Sequence, residues 1–440
     1  MRVAVAQIDH LIGAFEANFE AMAAAVEEAR GRAVDLVVFT ELATIGYPPG
    51  DLVERPEFVD RNLEQLQKVA ALSDERTGLL VGYVDRNQSG AGKPLYNAVA
   101  LCDGGEVTAT YRKCLLPTYD VFDEARYFEA SPEARPLDFR GVRIGVSICE
   151  DVWADPDFDG RSLYHRDPVI ELVERGAQLL VNLSASPFEL GKVADRRELV
   201  RRYAAESGLF FMYANQVGGN DELVFDGHSM IFDGQGRGVA RAHDFEEDLL
   251  IYDIPGKALE AEGIAGEAGD IRDAADSREA EALAALELGL RDYVRKCGFQ
   301  SVLLGLSGGI DSALTAAIAA RALGPENVLG VAMPTRYSSE GSVTDAEALT
   351  ANLGIGYRPE SGILLDVAIH YVSTYESRAT DPKNSLQIPG PMRLGNQALM
   401  IGNLGYRVVW NERAETEIGL ALRTPLGAPF REFAGSTIPI

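Results

Sequence analysis

From residue 1 to about residue 255 the chain repeats one theme: a short β-rich run, a polar turn and, often, an amphipathic helix. Several runs, DLVVF and QLLVNL among them, are apolar almost throughout. A strand with no polar face has to be covered on both sides, which restricts the chain to layered α/β architectures. Strands are predicted at MRVAVAQ, DLVVFT, GLLVGYV, NAVALC, VTATYR, VRIGVSI, QLLVNLS, LFFMYAN and HSMIFD. Helices fit NFEAMAAAVEEARG, DPVIELVERG and DRRELVRRYAAESG. Each is closed by a glycine, Gly31, Gly176 or Gly208, that can take the left-handed conformation ending a helix. Residues 1–255 are therefore expected to form a layered α/β sandwich.

Residues 256–277 turn to Gly, Ala, Glu and Asp with few large apolar side chains, the composition of a linker. A second pattern occupies residues 278–440. The helix EAEALAALELGLRDYVRKCG leads into the strand SVLLGL, the loop SGGIDS, the helix ALTAAIAARALG and the strand NVLGVAMP. This is a βαβ unit of a parallel sheet, with a glycine-rich loop at the carboxyl end of its first strand. A length of 440 residues agrees with two domains.

A formal charge of −26, from 41 Lys and Arg against 67 Asp and Glu, disfavours nucleic acid as a partner. Cys102, Cys114, Cys149 and Cys297 lack CxxC spacing, and the five histidines form neither HxxxH nor HExxH. Neither a disulfide framework nor a metal-first mechanism is indicated, and a single reactive thiol is left open. No stretch approaches the roughly 18 apolar residues of a membrane span. The start, MRVAVAQIDH, meets an acidic residue at once and reads as a strand instead of a signal peptide. A cytoplasmic protein without a membrane partner is expected.

Three candidate chemical residues directly follow predicted strands: Glu41 after DLVVFT, Lys113 after VTATYR and Cys149 after VRIGVSI. If those strands are neighbours, the side chains meet in one cleft outside the carboxyl ends of the sheet. A carboxylate beside a thiol can serve as general base, and an ammonium can support a developing oxyanion. On burial statistics alone Cys149 would be a small buried hydrophobe and the two charges solvated.

The surrounding strings shift that balance. FTELATIGYPPGDL, YRKCLLPTYDVFDEARYF and ICEDVW resemble, in that order, the glutamate, lysine and cysteine motifs of the nitrilase superfamily, specifically the glutaminase domain of NAD synthetases. YANQVGGNDELVFDGHS extends the resemblance over nearly the whole first domain. The resemblance implies a nitrilase-like α-β-β-α sandwich in which Cys149 attacks the side-chain amide of glutamine, Glu41 moves protons and Lys113 supports the tetrahedral intermediate. It also implies glutamine-binding roles for Tyr119 in LLPTYDVFDE and for Ser186 and Lys192 in LSASPFELGK. Cys114 is expected to point away and to be inert.

The second constellation is Gly305, Leu306, Ser307, Gly308, Gly309, Ile310, Asp311 and Ser312. Between a strand and a helix, its backbone N–H groups form an anion site, its serines donate hydroxyls and Asp311 could hold magnesium. The letters also satisfy G-x-S-x-G with Ser307 as nucleophile, but that reading needs a downstream histidine, and His370 lies in what looks like an ordinary amphipathic helix. The full SGGIDS string resembles the pyrophosphate loop of the ATP-pyrophosphatase superfamily. VAMPTRYSSEGSVTDAEALTANLGI, with Met333 to Arg336 and Ser338 to Glu340, resembles the adenine-side strand and helix of NAD synthetases.

Together the two halves resemble the glutamine-dependent NAD synthetase family. The resemblance implies a carbon–nitrogen ligase using glutamine, ATP with Mg2+, and nicotinic acid adenine dinucleotide as acceptor, assembled as a homo-oligomer. Beyond about Tyr371 the chain departs from the family pattern, so its parallel-sheet α/β ATP-pyrophosphatase domain is expected to be partial, incomplete at its C-terminus. Two other readings stay open: a stand-alone nitrilase-type amidase with a degenerate nucleotide-binding second domain, and a non-enzymatic nucleotide-sensing subunit.

Overall fold

The computed structural model describes residues 1–154, 164–272, 277–333 and 340–353, followed by the strand residues 356–358, 393–394, 397–398, 400–411 and 414–422. The chain divides into two compact units, Met1–Gly289 and Leu290–Ile440.

The first unit begins with β1 (Arg2–Gln7), α1 (Phe15–Gly31), β2 (Leu36–Val38), α2 (Pro56–Ala70), β3 (Gly78–Arg86), β4 (Leu95–Asp103), β5 (Glu106–Arg112) and the short α3 (Glu124–Tyr127). It continues with β6 (Leu137–Phe139), β7 (Val142–Ile148), α4 (Pro168–Glu174), β8 (Leu179–Ser184), α5 (Lys192–Ser207) and β9 (Phe211–Asn215). The hairpin β10 (Val217–Asn220) and β11 (Leu223–Asp226) and the strands β12 (Met230–Phe232), β13 (Gly238–Arg241) and β14 (Asp248–Asp253) follow. One six-stranded sheet runs β14-β1-β2-β3-β4-β5 and the other β13-β12-β9-β8-β7-β6. In each, three adjacent interior strands are parallel: β1, β2 and β3 in the first, β7, β8 and β9 in the second.

The apolar strands explain the layering. Alternate residues of β1 point to opposite faces, so Val3 and Val5 join Val146, Ile148, Val181 and Leu183 in a core between the sheets. Ala4 and Ala6 face the other way, against Met22 and Val26 of α1 and Leu66 and Val69 of α2. Helices α4 and α5 add Val169, Leu172, Leu199 and Tyr203 on the second sheet. The order helix, sheet, sheet, helix is the expected sandwich.

Several elements differ from expectation. Gly176 and Gly208 take positive φ as predicted, whereas Gly31 stays inside α1 and the left-handed residue is Ala33, with φ 55°. Helix α2 falls outside the predicted helices; polar Asn62 and Gln65 are buried on its inner face, and Asn62 donates to the Val84 carbonyl at 2.7 Å. Strands β6, β10, β11 and β13 are only three or four residues long, too short for a period-two pattern to stand out.

Helix α6 (Arg278–Lys296) starts in the first unit and ends in the second. The second unit continues with β15 (Val302–Leu306), α7 (Ile310–Leu323), β16 (Val328–Ala332), α8 (Glu340–Leu353) and β17 (Gly356–Arg358), with β15, β16 and β17 parallel. Its core joins Leu306 and Val328 to Ala316, Ala319, Ala320 and Ala346. Farther on, Met400–Asn411 pairs antiparallel with Ala414–Leu422. Thr335, Arg336, Ser338, His370 and Tyr371 lie outside the described residues. Among the described residues no helix is long and apolar enough to cross a membrane.

Candidate active site

Glu41 stands in the turn that follows β2. Gly82 on β3 makes room for that turn: a Cβ there would lie 2.3 Å from the Thr40 carbonyl oxygen and 2.4 Å from the Leu42 nitrogen. The Glu41 side chain is fully buried. Its Oε1 accepts from Lys113 Nζ and from Asn97 Nδ2, both at 2.7 Å, and its Oε2 accepts from the Ala185 N–H at 2.9 Å. Lys113, just past β5, is also fully buried and donates to Glu124 at 2.9 Å. Glu124 accepts in turn from the Tyr47 hydroxyl at 2.9 Å. Cys149 follows β7, opens a 3-10 turn (Cys149–Val152) and is buried, with φ at 40°. A side chain held in the left-handed region stores backbone strain, a feature that clusters at functional sites.

The three residues do not come from neighbouring strands. Strands β3 and β4 separate β2 from β5, and β7 belongs to the other sheet. Because β3, β4 and β5 form an antiparallel meander, β5 runs in the same direction as β2 and both carboxyl ends reach one edge. The Glu41–Ala185 bond ties that edge to the residue just past β8 in the facing sheet. Local patterning locates strand ends; the stacking of two sheets is a long-range outcome.

The electrostatics follow from burial. Desolvation works to lower the pKa of Lys113, but the carboxylates of Glu124 and Glu41 outweigh it and hold the ammonium well above its ordinary value. Burial pushes Glu124 up to about 7 against the pull of Lys113. Burial also pushes the Cys149 thiol well above its usual range, reinforced by the charge of Glu41 and opposed by Lys113. Burial thus favours the neutral thiol, so a nucleophilic role for it would need a proton acceptor.

Beside this centre lies a second polar group. Tyr119, half exposed, donates to both Glu150 oxygens at 3.0 and 2.9 Å, and Tyr164 donates to Oε1 at 2.7 Å. Ser186 is buried, and its N–H donates to Asn215 Oδ1 at 2.8 Å. Lys192 starts α5 and sets its ammonium 5.9 Å from the centre of the Trp153 ring. Cys114 lies past β5, its sulfur 3.4 Å from the Tyr111 hydroxyl, and burial drives its thiol up to about 12. Glu124, Glu150, Tyr47 and Asn97 were not singled out from sequence. Glu124, Glu150 and Tyr47 sit in the motif strings themselves, as DEARYF, ICEDVW and TIGYPP, but a polar string does not reveal which of its acids will be buried.

In the second unit, Gly305 and Leu306 end β15, Ser307, Gly308 and Gly309 form the connecting loop, and Ile310, Asp311 and Ser312 open α7. Ser307 and Ser312 hydroxyls lie 3.1 Å apart, and the Gly309 N–H donates to Ser307 Oγ at 3.2 Å. Gly308 has φ of 77°, and a Cβ there would sit 2.3 Å from the Ser342 carbonyl oxygen in the first turns of α8. Only glycine satisfies both conditions. Ile310 and Asp311 are exposed at the start of α7. Among the described residues no cluster of three or more His, Cys, Asp or Glu side chains forms a metal cage.

Comparison with known proteins gives two family matches: carbon-nitrogen hydrolase over residues 2–261 and NAD synthase over residues 282–381. A glutamine-dependent NAD(+) synthetase from Synechocystis sp. is 43% identical over 358 residues, covering 80% of this chain and 63% of that protein. One from Acinetobacter baylyi is 35% identical over 429 residues, covering 93% of this chain and 75% of that protein. The solved structure of the glutamine-dependent NAD+ synthetase from Acinetobacter baumannii, in complex with adenosine diphosphate, superposes with a TM-score of 0.74 at 31% identity, covering 87% of this chain and 68% of that one. The chain thus spans a little under two thirds of the Synechocystis protein, at 63%.

Proposed function

Since the chain belongs to the glutamine-dependent NAD(+) synthetase family, we propose that it hydrolyses glutamine at Cys149 and passes the ammonia to an ATP-activated carboxylate of nicotinic acid adenine dinucleotide. The glutaminase module is residues 1–255, the linker 256–277 and the nucleotide module 278–440. A homo-oligomer acting in the cytoplasm completes the reading. The observation that carries it is the buried Glu41–Lys113–Glu124 array closing on a strained cysteine.

In the first half-reaction the Cys149 sulfur bonds to the glutamine side-chain carbonyl carbon while its proton passes to Glu41. The Lys113 ammonium, held charged by two carboxylates, stabilises the resulting oxyanion. The carbon–nitrogen bond breaks as Glu41 returns the proton to nitrogen, and ammonia leaves. Water, deprotonated by Glu41, then cleaves the glutamyl thioester to glutamate and free thiol. Glu150, held by Tyr119 and Tyr164, suits the substrate ammonium, and Lys192 with Ser186 suits its carboxylate.

For the second half-reaction, the loop from Gly305 to Ser312 offers backbone N–H groups and two hydroxyls to nucleotide phosphates. Magnesium arriving with those phosphates requires only one or two protein carboxylates, so the exposed Asp311 fits it without a cage. Asp311→Asn is accordingly expected to weaken binding of magnesium ATP by roughly tenfold, the loss of one charge-assisted contact. Glutamine hydrolysis should be unchanged. Calorimetric titration with magnesium ATP checks this, and unaltered affinity would remove Asp311 from the metal role.

The test of the whole reading is a pair of assays on the full chain: glutamate release from glutamine, and NAD formation from nicotinic acid adenine dinucleotide and ATP with ammonia supplied directly. Both are expected. Glutamate release without any NAD formation would favour the stand-alone amidase, and absence of both would sink the proposal.

A further inference from the structure

Asp151 is fully buried two residues past Cys149, and its carboxylate accepts four hydrogen bonds. Oδ1 takes the N–H groups of Cys114 at 3.0 Å and Leu115 at 2.8 Å. Oδ2 takes the Ile148 N–H at 3.0 Å and the Tyr111 hydroxyl at 3.0 Å. An ionised carboxylate has about four acceptor positions, so all of them are used. The donors come from two segments: Tyr111 near the end of β5 with Cys114 and Leu115 just past it, and Ile148, the last residue of β7. Cys114 directly follows Lys113, and Ile148 directly precedes Cys149. The two reacting groups sit on different sheets, and nothing in either strand register sets the distance between them.

We propose that Asp151 is a positioning residue: one carboxylate clamps the lysine loop to the cysteine turn, fixing the Lys113 ammonium relative to the Cys149 sulfur and holding Cys149 in its left-handed backbone. This rests on the glutaminase reading of the site. Burial costs the Asp151 charge enough to raise its pKa to about 6, so a carboxylate is retained there against desolvation. A neutral amide of the same shape would keep only one acceptor oxygen. Whichever way it turned, its NH2 group would face N–H donors on one of the two segments and release that segment from the clamp.

The test compares wild type with Asp151→Asn and with Tyr111→Phe, which removes one donor and leaves the three amide contacts. Three readouts are taken on the full chain: kcat and KM for glutamate release, melting temperature, and the rate at which iodoacetamide modifies Cys149, followed on its own peptide by mass spectrometry. Asp151→Asn is expected to lower kcat roughly 10- to 100-fold with KM within about threefold, because misplacement affects the transition state more than substrate binding. The alkylation rate of Cys149 should change in parallel. Tyr111→Phe should fold normally and lower kcat by only a few-fold. Wild-type kcat and alkylation rate in folded Asp151→Asn would overturn the proposal. If that variant does not fold, Tyr111→Phe with both rates unchanged would overturn it instead. Absence of glutamate release in the wild type would defeat the glutaminase reading, yet the alkylation comparison would still decide the role of Asp151.

Discussion

Cys149→Ala is expected to lower glutamate release by at least about 10⁴-fold, as removal of a hydrolase nucleophile commonly does. The folded state should survive. The thiol is buried at a position where alanine removes only a small polarisable group, and the left-handed strain at φ 40° is the same for both side chains. Neither Glu41 nor Lys113 depends on Cys149 for its hydrogen bonds to Asn97, Ala185, Glu124 and each other. The melting temperature should therefore shift by no more than a few degrees. The measurement is glutamate release beside a thermal melt. A folded variant that turns over at the wild-type rate would remove Cys149 from the chemistry.

Lys113→Met should be the costliest single change to the fold of the first unit. It leaves Glu41 and Glu124 buried with no cation between them, and breaking a buried charge pair from one side typically costs about 3–5 kcal/mol. Glutaminase activity should vanish with it. Glu124 already has its pKa raised to about 7 by burial, and losing the ammonium moves it higher still. A carboxyl with a raised folded-state pKa binds its proton more tightly folded than unfolded, so stability falls as pH rises through that window. The deficit of Lys113→Met should therefore be larger at about pH 8 than at about pH 6. Adding Glu124→Gln removes one of the stranded charges and should restore part of the loss. Urea melts at the two pH values test both points, and a pH-independent deficit with no recovery in the double variant would contradict the buried-triad account.

Much of the site was legible because its residues lie at the ends of apolar strands. DLVVFT, VTATYR and VRIGVSI announce themselves by composition, and the next residue in each case, Glu41, Lys113 or Cys149, has to emerge at a sheet edge. Likewise SGGIDS could be read as a tight turn between a strand and a helix, and glycine at 308 does meet both a positive φ and a close approach by Ser342. The buried partners were harder to find. Glu124, Glu150 and Asp151 look like ordinary surface acids in DEARYF and ICEDVW, yet all three are buried.

What the sequence by itself determined was therefore local and periodic: which runs become strands, that they must be covered on both faces, where each strand ends and which polar residue stands there. Hydrophobic alternation and glycine's conformational freedom act over a few residues, so they can be read without the fold. Tertiary structure decided that β2 and β5 open on one edge with two strands between them, and that β7 reaches the site from the facing sheet. It also decided which acids lose their water. Desolvation depends on every atom packed around a group, and for that reason the charge of Lys113, the raised pKa of Glu124 and the four-donor grip of Asp151 exist only once the two sheets are stacked.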